Sequence, residues 1–310
     1  MIDNREHRFI SAVVYIHNNE ELVECFLNTL YESLSKNFQK FEIICVNDAS
    51  RDSSLEVIKE TAKNFDDTVI SIVNMGFHQG LELCMNAGED LAIGDFVYEF
   101  DTVFMDYDPD YIAKIYHKSM EGYDLVSACP DIKPKKTSSL FYKIFNRFSN
   151  TNYKLQTESF RIVSRRAINR VFSMNQAVLY RKAVNANCGL KMASIKYQVT
   201  DRNKSKQFTN ERRTLAFDSL ILFTDVGYRF SMIMSFFMIF AVAVIGIYTV
   251  VIYVSSKPVE GWTPIMLFLA IGFFGLFVVL TLALKYLSLI LNLVFKKQRY
   301  IIEGIEKVKK

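Results

Sequence analysis

Short runs rich in β-branched residues alternate, along residues 1–130, with longer segments whose apolar positions recur every three or four residues. The runs are FISAVVYI (9–16), FEIICVN (41–47), TVISIVN (68–74), DFVYEFD (95–101) and DLVSAC (124–129), and the longer segments cover 20–37, 52–64, 79–92 and 109–121. Strand-sized runs alternating with helix-sized segments predict an α/β domain, a mostly parallel sheet flanked by helices. Strands covered on both faces read as near-continuous apolar runs, as these do. In such sheets ligands gather beyond the carboxyl ends of the strands. Three polar clusters fall there: HNNEE after the first run, NDASRDS after the second, and the acidic end of YEFDTVFMDYDPD after the fourth. Within the second cluster, Asp52 and Ser53 suit helix caps.

The pattern changes after residue 208. Residues 211–225 mix charges with Leu215, Phe217, Leu220, Ile221 and Phe223, which predicts a helix lying on a membrane surface, assigned to 209–228. From 230 to 254 the chain has 25 residues without a charge, and 262 to 284 adds 23 more. A helix needs roughly 20 apolar residues to cross the hydrocarbon core. Two such runs joined by SSKPVEG predict a transmembrane hairpin, with its juxtamembrane extension, within 229–295. Arg212, Arg213 and Arg229 precede the hairpin, and Lys285, Lys296, Lys297 and Arg299 follow it, while the connecting loop carries Lys257 and Glu260. The positive-inside rule then puts residues 1–208 on the cytoplasmic side of the cell membrane, and 296–310 with them as a basic tail.

Charge divides the chain further. Residues 1–130 carry 9 Lys+Arg against 24 Asp+Glu, a net of −15, whereas 131–214 carry 19 against 4, a net of +15. The basic segment suits phosphate groups, and next to two apolar runs it points to a nucleotide or an anionic lipid rather than to nucleic acid. MIDNREHRFI has no apolar core of the signal-peptide kind. Five cysteines without C-x-x-C spacing read as reduced, mostly buried thiols. The four histidines suggest no Ser-His-Asp or Cys-His arrangement. Neither a G-x-G-x-x-G after the first strand nor a P-loop is present, so the usual phosphate cradles are missing. Asp106, Asp108 and Asp110 alternate as in a calcium loop, but Tyr111 and His117 stand where that loop requires Gly and Glu. A nucleotide bound here needs another counter-charge for its pyrophosphate. A divalent metal on acidic side chains supplies one, and that gives Asp101 a role.

In this order, VVYIHNNEELVECFLNTL, FEIICVNDASRDSS, NMGFHQGLELCMNAGEDLAIGDFVYEFD and ESFRIVSRRAI resemble a family 2 glycosyltransferase of the GT-A fold. With the basic segment and the hairpin, the chain resembles the polyprenyl-phosphate glycosyltransferases, relatives of dolichol-phosphate mannose synthase, from Phe9 to Ile302. The resemblance implies a nucleotide-sugar donor whose base is bordered by Tyr15, His17, Asn18 and Asn19, with Asn47 and Asp48 on base and ribose. It implies a divalent metal, Mg or Mn, on a D-x-D-x-Q motif that falls on DTVFM. There Asp101 matches, and Val103 and Met105 replace the second aspartate and the glutamine. Either Glu99, Asp106 or Asp108 replaces them as a ligand, or the metal is held weakly, or transfer proceeds without one, or catalysis is lost; Asp101 and Asp106 are the implied catalytic acids. The acceptor phosphate is implied at Lys135 and Ser139, with Lys in place of the family's Arg, and at Ser205 and Lys206. Arg202, Ser205 and Lys206 match a later basic loop, in which Arg202 faces the donor pyrophosphate.

The implied activity is inverting transfer of a sugar, most often from a UDP-hexose, to polyprenyl (undecaprenyl) phosphate for cell-envelope glycan synthesis or modification. The implied partners are the membrane and further copies of the chain in a homo-oligomer, with no nucleic acid. A lipid phosphate is already anionic, so catalysis consists of placing its oxygen and stabilising the departing diphosphate. Two other readings stand beside this one. A processive polysaccharide synthase needs a Q-x-x-R-W motif and more spans, and the one tryptophan here, Trp262, opens the second run. A catalytically inactive scaffold or partner subunit is the other reading, and it accounts for the altered metal motif.

Overall fold

The computed structural model describes residues 5–66, 68–132, 156–173, 181–187, 189–200 and 300–308, with isolated helical positions between 233 and 290. In chain order the elements are β1 (Glu6–Ile16), α1 (Glu20–Asn37), β2 (Phe38–Asn47), α2 (Ser54–Ala62), β3 (Val69–Met75), α3 (Leu81–Leu91) and β4 (Phe96–Phe100). They continue with α4 (Asp110–Met120), β5 (Leu125–Pro130), β6 (Phe160–Ser164), α5 (Arg165–Ser173), α6 (Arg181–Asn187), β7 (Met192–Tyr197) and β8 (Ile302–Val308). Every strand and helix expected within residues 1–130 is present, with ends displaced by a few residues.

Among the described residues the strands form one eight-stranded sheet in the order β7-β5-β6-β4-β1-β2-β3-β8. β1 pairs in parallel with β2 and β4, β2 with β3, and β5 with β7. β6 runs antiparallel between β4 and β5, and β8 runs antiparallel along β3. The sheet is therefore mixed: β6 and β8 run antiparallel to their neighbours, and the remaining pairs are parallel.

Side chains of the central strand alternate between two cores, as a period of two requires. Ile10, Ala12, Val14 and Ile16 of β1 join Phe26, Leu27 and Leu30 of α1 and Ile112 and Ile115 of α4 on one face. Val13 and Tyr15 join Cys84, Met85 and Ala87 of α3 on the other. α1 buries Val23, Phe26, Leu27, Leu30 and Leu34 along one stripe, each contributing about 1.5–3 kcal/mol of transfer free energy. α3 approaches the sheet most closely at Gly88, where an added Cβ would lie 2.3 Å from Val13 Cγ1 and 2.9 Å from Val46 Cγ2.

The stretch after β4 is pinned rather than loose. Val103 and Tyr107 are buried in the first core, and the Tyr107 ring stacks on Phe160 at 4.3 Å, which stacks in turn on Phe100 at 5.3 Å. Asp108 accepts from the Asp110 N–H at 2.9 Å at the start of α4.

Residues 302–308, expected within a basic tail, are a sheet strand instead. IEGIEKV carries three charges and one glycine, so its apolar pattern is weak. What fixes it is the edge it covers: β3 would otherwise present unpaired N–H and C=O groups along its outer side. The α/β domain therefore does not end at residue 208, because its last strand follows both apolar runs. No helix among the described residues is long and apolar enough to cross a membrane. The expected spans at 230–254 and 262–284, and the surface helix at 209–228, lie largely or wholly outside the described residues.

Candidate functional site

The carboxyl ends of β1 and β2 and the loop before α3 meet around one carboxylate. Asp48 follows β2 and is fully buried. Its Oδ2 accepts from the Tyr15 hydroxyl at 2.9 Å and from the Gly80 N–H at 2.9 Å, and it pairs with His78 Nδ1 at 2.9 Å. Its Oδ1 accepts from the Gln79 N–H at 2.7 Å. One buried charge thus ties three segments that are far apart in sequence, and it is stable there because every side of it meets a donor.

The surrounding loops brace each other. His17 Nδ1 lies 2.7 Å from the Asp48 carbonyl, and its ring packs against His78 with centroids 4.2 Å apart. The Asn18 N–H donates to Ser50 Oγ at 3.1 Å, and Asn18 Oδ1 accepts from the Arg51 N–H at 2.8 Å. The Asn19 N–H donates to Ser54 Oγ at 2.8 Å. Asn18 (φ 52°) and Ala49 (φ 49°) both adopt the left-handed region. For alanine that conformation costs on the order of 1–2 kcal/mol, which the bonds on either side of it offset. Asp52, expected as a cap, accepts from the Ser54 N–H at 3.1 Å and also from the Glu20 N–H at 3.1 Å.

Tyr15, His17, Asn18, Asn19 and Asp48 are therefore brought together at the edge where a nucleotide was expected. Asn47 braces the same loop, its Oδ1 accepting from the Ser50 N–H at 3.1 Å. Its amide donates to Asn74 Oδ1 at 3.0 Å, and Asn74 donates to Glu306 of β8 at 2.9 Å. Asn47 thus links the pocket loop to a polar row along β2, β3 and β8. Lys135, Ser139, Arg202, Ser205 and Lys206 lie outside the described residues.

The acidic stretch contains a second cluster, which the sequence reading missed. Arg181, at the start of α6, is 3% exposed and sits among four carboxylates. Its Nε lies 3.0 Å from Glu82, Nη1 lies 3.0 Å from Glu89 and 2.5 Å from Glu99, and Nη2 lies 2.9 Å from Asp101. Glu99 also accepts from Arg161 Nε at 2.6 Å. Burial, together with Glu99 nearby, pushes the Glu89 carboxyl up to about 8. Asp106 faces elsewhere. The Tyr197 hydroxyl donates to it at 2.7 Å, and burial holds its carboxyl above the usual range.

Two arrangements bear on a metal. Asp101, the implied ligand, is already engaged by a guanidinium, Val103 is buried in the core, and Met105 packs against that core. Glu99 is engaged by Arg161 and Arg181 and Asp106 by Tyr197, and among the described residues no group of three that could hold a metal includes Asp101. The other arrangement is His17, Asp48 and His78, whose ligand atoms lie within 4.8 Å of one another. Two imidazoles and a carboxylate suit zinc-like ions better than Mg or Mn. Yet Asp48 spends its oxygens on Tyr15, His78, Gln79 and Gly80, so the trio serves as hydrogen-bonded scaffolding for the pocket.

Comparison with known proteins bears on the chemistry. The glycosyl transferase family 2 model matches residues 11–189. An uncharacterized glycosyltransferase of Synechocystis sp. is 28% identical over 192 residues, 60% of this chain and 59% of the relative. A prophage bactoprenol glucosyl transferase homolog of Escherichia coli is 27% identical over 199 residues, 62% of this chain and 64% of the relative. The match thus spans less than two thirds of either relative's length. Among solved structures, the mannosyltransferase of Pyrobaculum calidifontis in complex with GDP-Man and Mn2+ superposes with a TM-score of 0.52 at 14% identity, covering 71% of this chain and 64% of that one. That likeness speaks for the fold.

Proposed function

This chain belongs to glycosyl transferase family 2, and from that premise we propose that it moves a sugar from a nucleotide-sugar to polyprenyl phosphate at a membrane surface. A UDP-hexose is the first donor to try. The donor half rests on one observation, the cradle around Asp48 at the carboxyl ends of β1 and β2, where an open α/β sheet binds its ligand.

Three features support the acceptor half. The name of the E. coli relative, a bactoprenol glucosyl transferase homolog, joins a polyprenol to glucose. Phe237, Phe240, Phe273 and Leu276 are helical and more than half exposed, and so many large apolar side chains facing outwards call for an apolar environment. Gly275 is buried, and a Cβ added there would lie 1.6 Å from Met238 Cε, so the two apolar runs meet at a small residue, as packed membrane helices do. β7 precedes both runs, and β8 follows them in the same sheet, which supports an even number of crossings. With the flanking charges, that favours the cytoplasmic face.

In the transfer, a phosphate oxygen forms a bond to the anomeric carbon. The bond from that carbon to the nucleoside diphosphate breaks, and its electron pair leaves with the diphosphate. Attack opposite the leaving group inverts the anomeric centre. Asp48 and its partners hold the nucleoside end rigidly, so that the sugar presents one face to the acceptor.

The test is to incubate the purified full chain in detergent with undecaprenyl phosphate and a panel of nucleotide sugars, and to look for a glycosylated lipid phosphate by mass. A product with one donor is the expected result, and no product with any donor refutes the proposal. A second reading, a family member that binds nucleotide without transfer, draws on the Arg181 pairing of Asp101 together with Val103 and Met105. UDP binding without product would favour it.

A further inference from the structure

A metal-dependent site of this fold would end β4 with carboxylates converging on a divalent cation. Here carboxylates do converge, and the cation at their centre is a side chain. Glu82 and Glu89 approach from α3, Glu99 from β4 and Asp101 from just beyond it, all onto the three nitrogens of Arg181. All four carboxylate side chains are at most 15% exposed. The Arg181 backbone N–H also donates to Glu82 at 3.0 Å, so α6 starts at the cluster and holds the guanidinium in place.

A magnesium or manganese ion wants about six oxygens in a near-octahedral shell. With Val103 and Met105 at the two other motif positions, the end of β4 offers only Glu99 and Asp101, and Arg181 engages both. A dication placed there would also face the guanidinium's own positive charge across a few ångströms of largely dry protein, and that repulsion is poorly screened. The site's residues do not fit the metal that the family resemblance implies.

We infer that Arg181 takes the place of the divalent cation, so that the donor nucleotide binds and reacts here without Mg or Mn. Arg181 is a positioning residue in this scheme: it fixes Asp101 and Glu99 at the floor of the site. This rests on the donor-site reading given above, but it is tested separately from transfer.

The experiment follows Mn2+ itself. The full chain, stripped with EDTA, is titrated with Mn2+ in the presence of UDP, and free Mn2+ is read by electron paramagnetic resonance against UDP alone. Wild type should take up no additional Mn2+, and Mn2+ should leave its melting temperature unchanged. Arg181→Gln removes the guanidinium and leaves the carboxylates, so this variant should bind Mn2+ and melt higher with it, as any ligand of the native state produces. If a product forms, its rate in EDTA should stay within about twofold of that with Mn2+. Mn2+ uptake by wild type that Asp101→Asn abolishes would overturn the inference, as would EDTA-sensitive transfer rescued by Mn2+. Should Arg181→Gln fail to fold, the wild-type and Asp101→Asn titrations still decide. Absence of turnover with every donor would sink the transfer proposal and leave this inference to the Mn2+ titration.

Discussion

Replacing Asp48 by asparagine tests the organisation of the pocket with almost no change in shape. The carboxylate accepts from Tyr15, Gln79 and Gly80 and pairs with His78, at 2.7–2.9 Å. Asparagine keeps one acceptor oxygen and turns an amide that donates towards groups that also donate. One charge-assisted bond, about 1.5–3 kcal/mol, is lost or reduced, and one buried donor is orphaned at about 1–3 kcal/mol. The two effects share atoms and do not add in full, so the expected loss is about 2–4 kcal/mol. A domain of this size shifts by about 2–4 °C per kcal/mol, so the melting temperature should fall by about 4–16 °C. UDP affinity should fall with it, because the loops before α1 and α3 lose their common anchor. Tyr15→Phe removes a single bond to the same oxygen and should cost only about 1 kcal/mol. Thermal melts of both variants in detergent, with UDP titration, are the assay. An Asp48→Asn protein melting within about 1 °C of wild type, or no lower than Tyr15→Phe, would refute the reasoning.

Glu89 carries a pH signature: its folded carboxyl is raised to about 8 from an ordinary 4.5, so between those values the folded state keeps a proton that the unfolded chain has released. Its contribution to stability therefore falls as pH rises through that window, and Glu89→Gln should flatten the slope and be the more stable protein at its upper end; an unchanged slope in chemical denaturation across the window would count against this. Burial pushes the Cys45 and Cys129 thiols up to about 12, whereas Cys25 is exposed. Iodoacetamide at mildly alkaline pH should thus label Cys25 in the native protein, with Cys45 and Cys129 reacting only after unfolding; peptide mapping that finds Cys45 labelled as fast as Cys25 would contradict the buried assignment.

The central strands were legible because β1 to β4 are covered on both faces and need apolar residues throughout. β6 and β8 were not. FRIVS is short and carries Arg161, whose partner Glu99 lies on another strand, and β8 is set by the edge it covers rather than by its own pattern. The Asp48 pocket was readable as polar loops at strand ends, because the topology of a parallel sheet puts such loops side by side. Arg181 was hidden in LYRK, with nothing local to mark it. The available signals were Glu99 in the middle of FVYEF and the pair Glu82 and Glu89, two turns apart on α3. Charges on surfaces that pack against a sheet demand a cation, and the sequence order does not say which one.

The position of β8 alters how this domain can be isolated. A cut at residue 208 removes the apolar runs and the edge strand together, leaving β3 bare, with Ile70 and Ile72 in a strand whose backbone groups are ready to pair with another molecule. It also strips the loop that carries Gln79 of its clasp, since Gln79 both donates to the Ile301 carbonyl at 2.6 Å and accepts from its N–H at 2.9 Å. The two apolar runs are, in effect, a long excursion of the chain between the seventh and eighth strands. Excising the excursion and rejoining its ends through a flexible linker keeps the sheet whole, whereas simple truncation should yield an adhesive fragment with a loosened Gln79 loop.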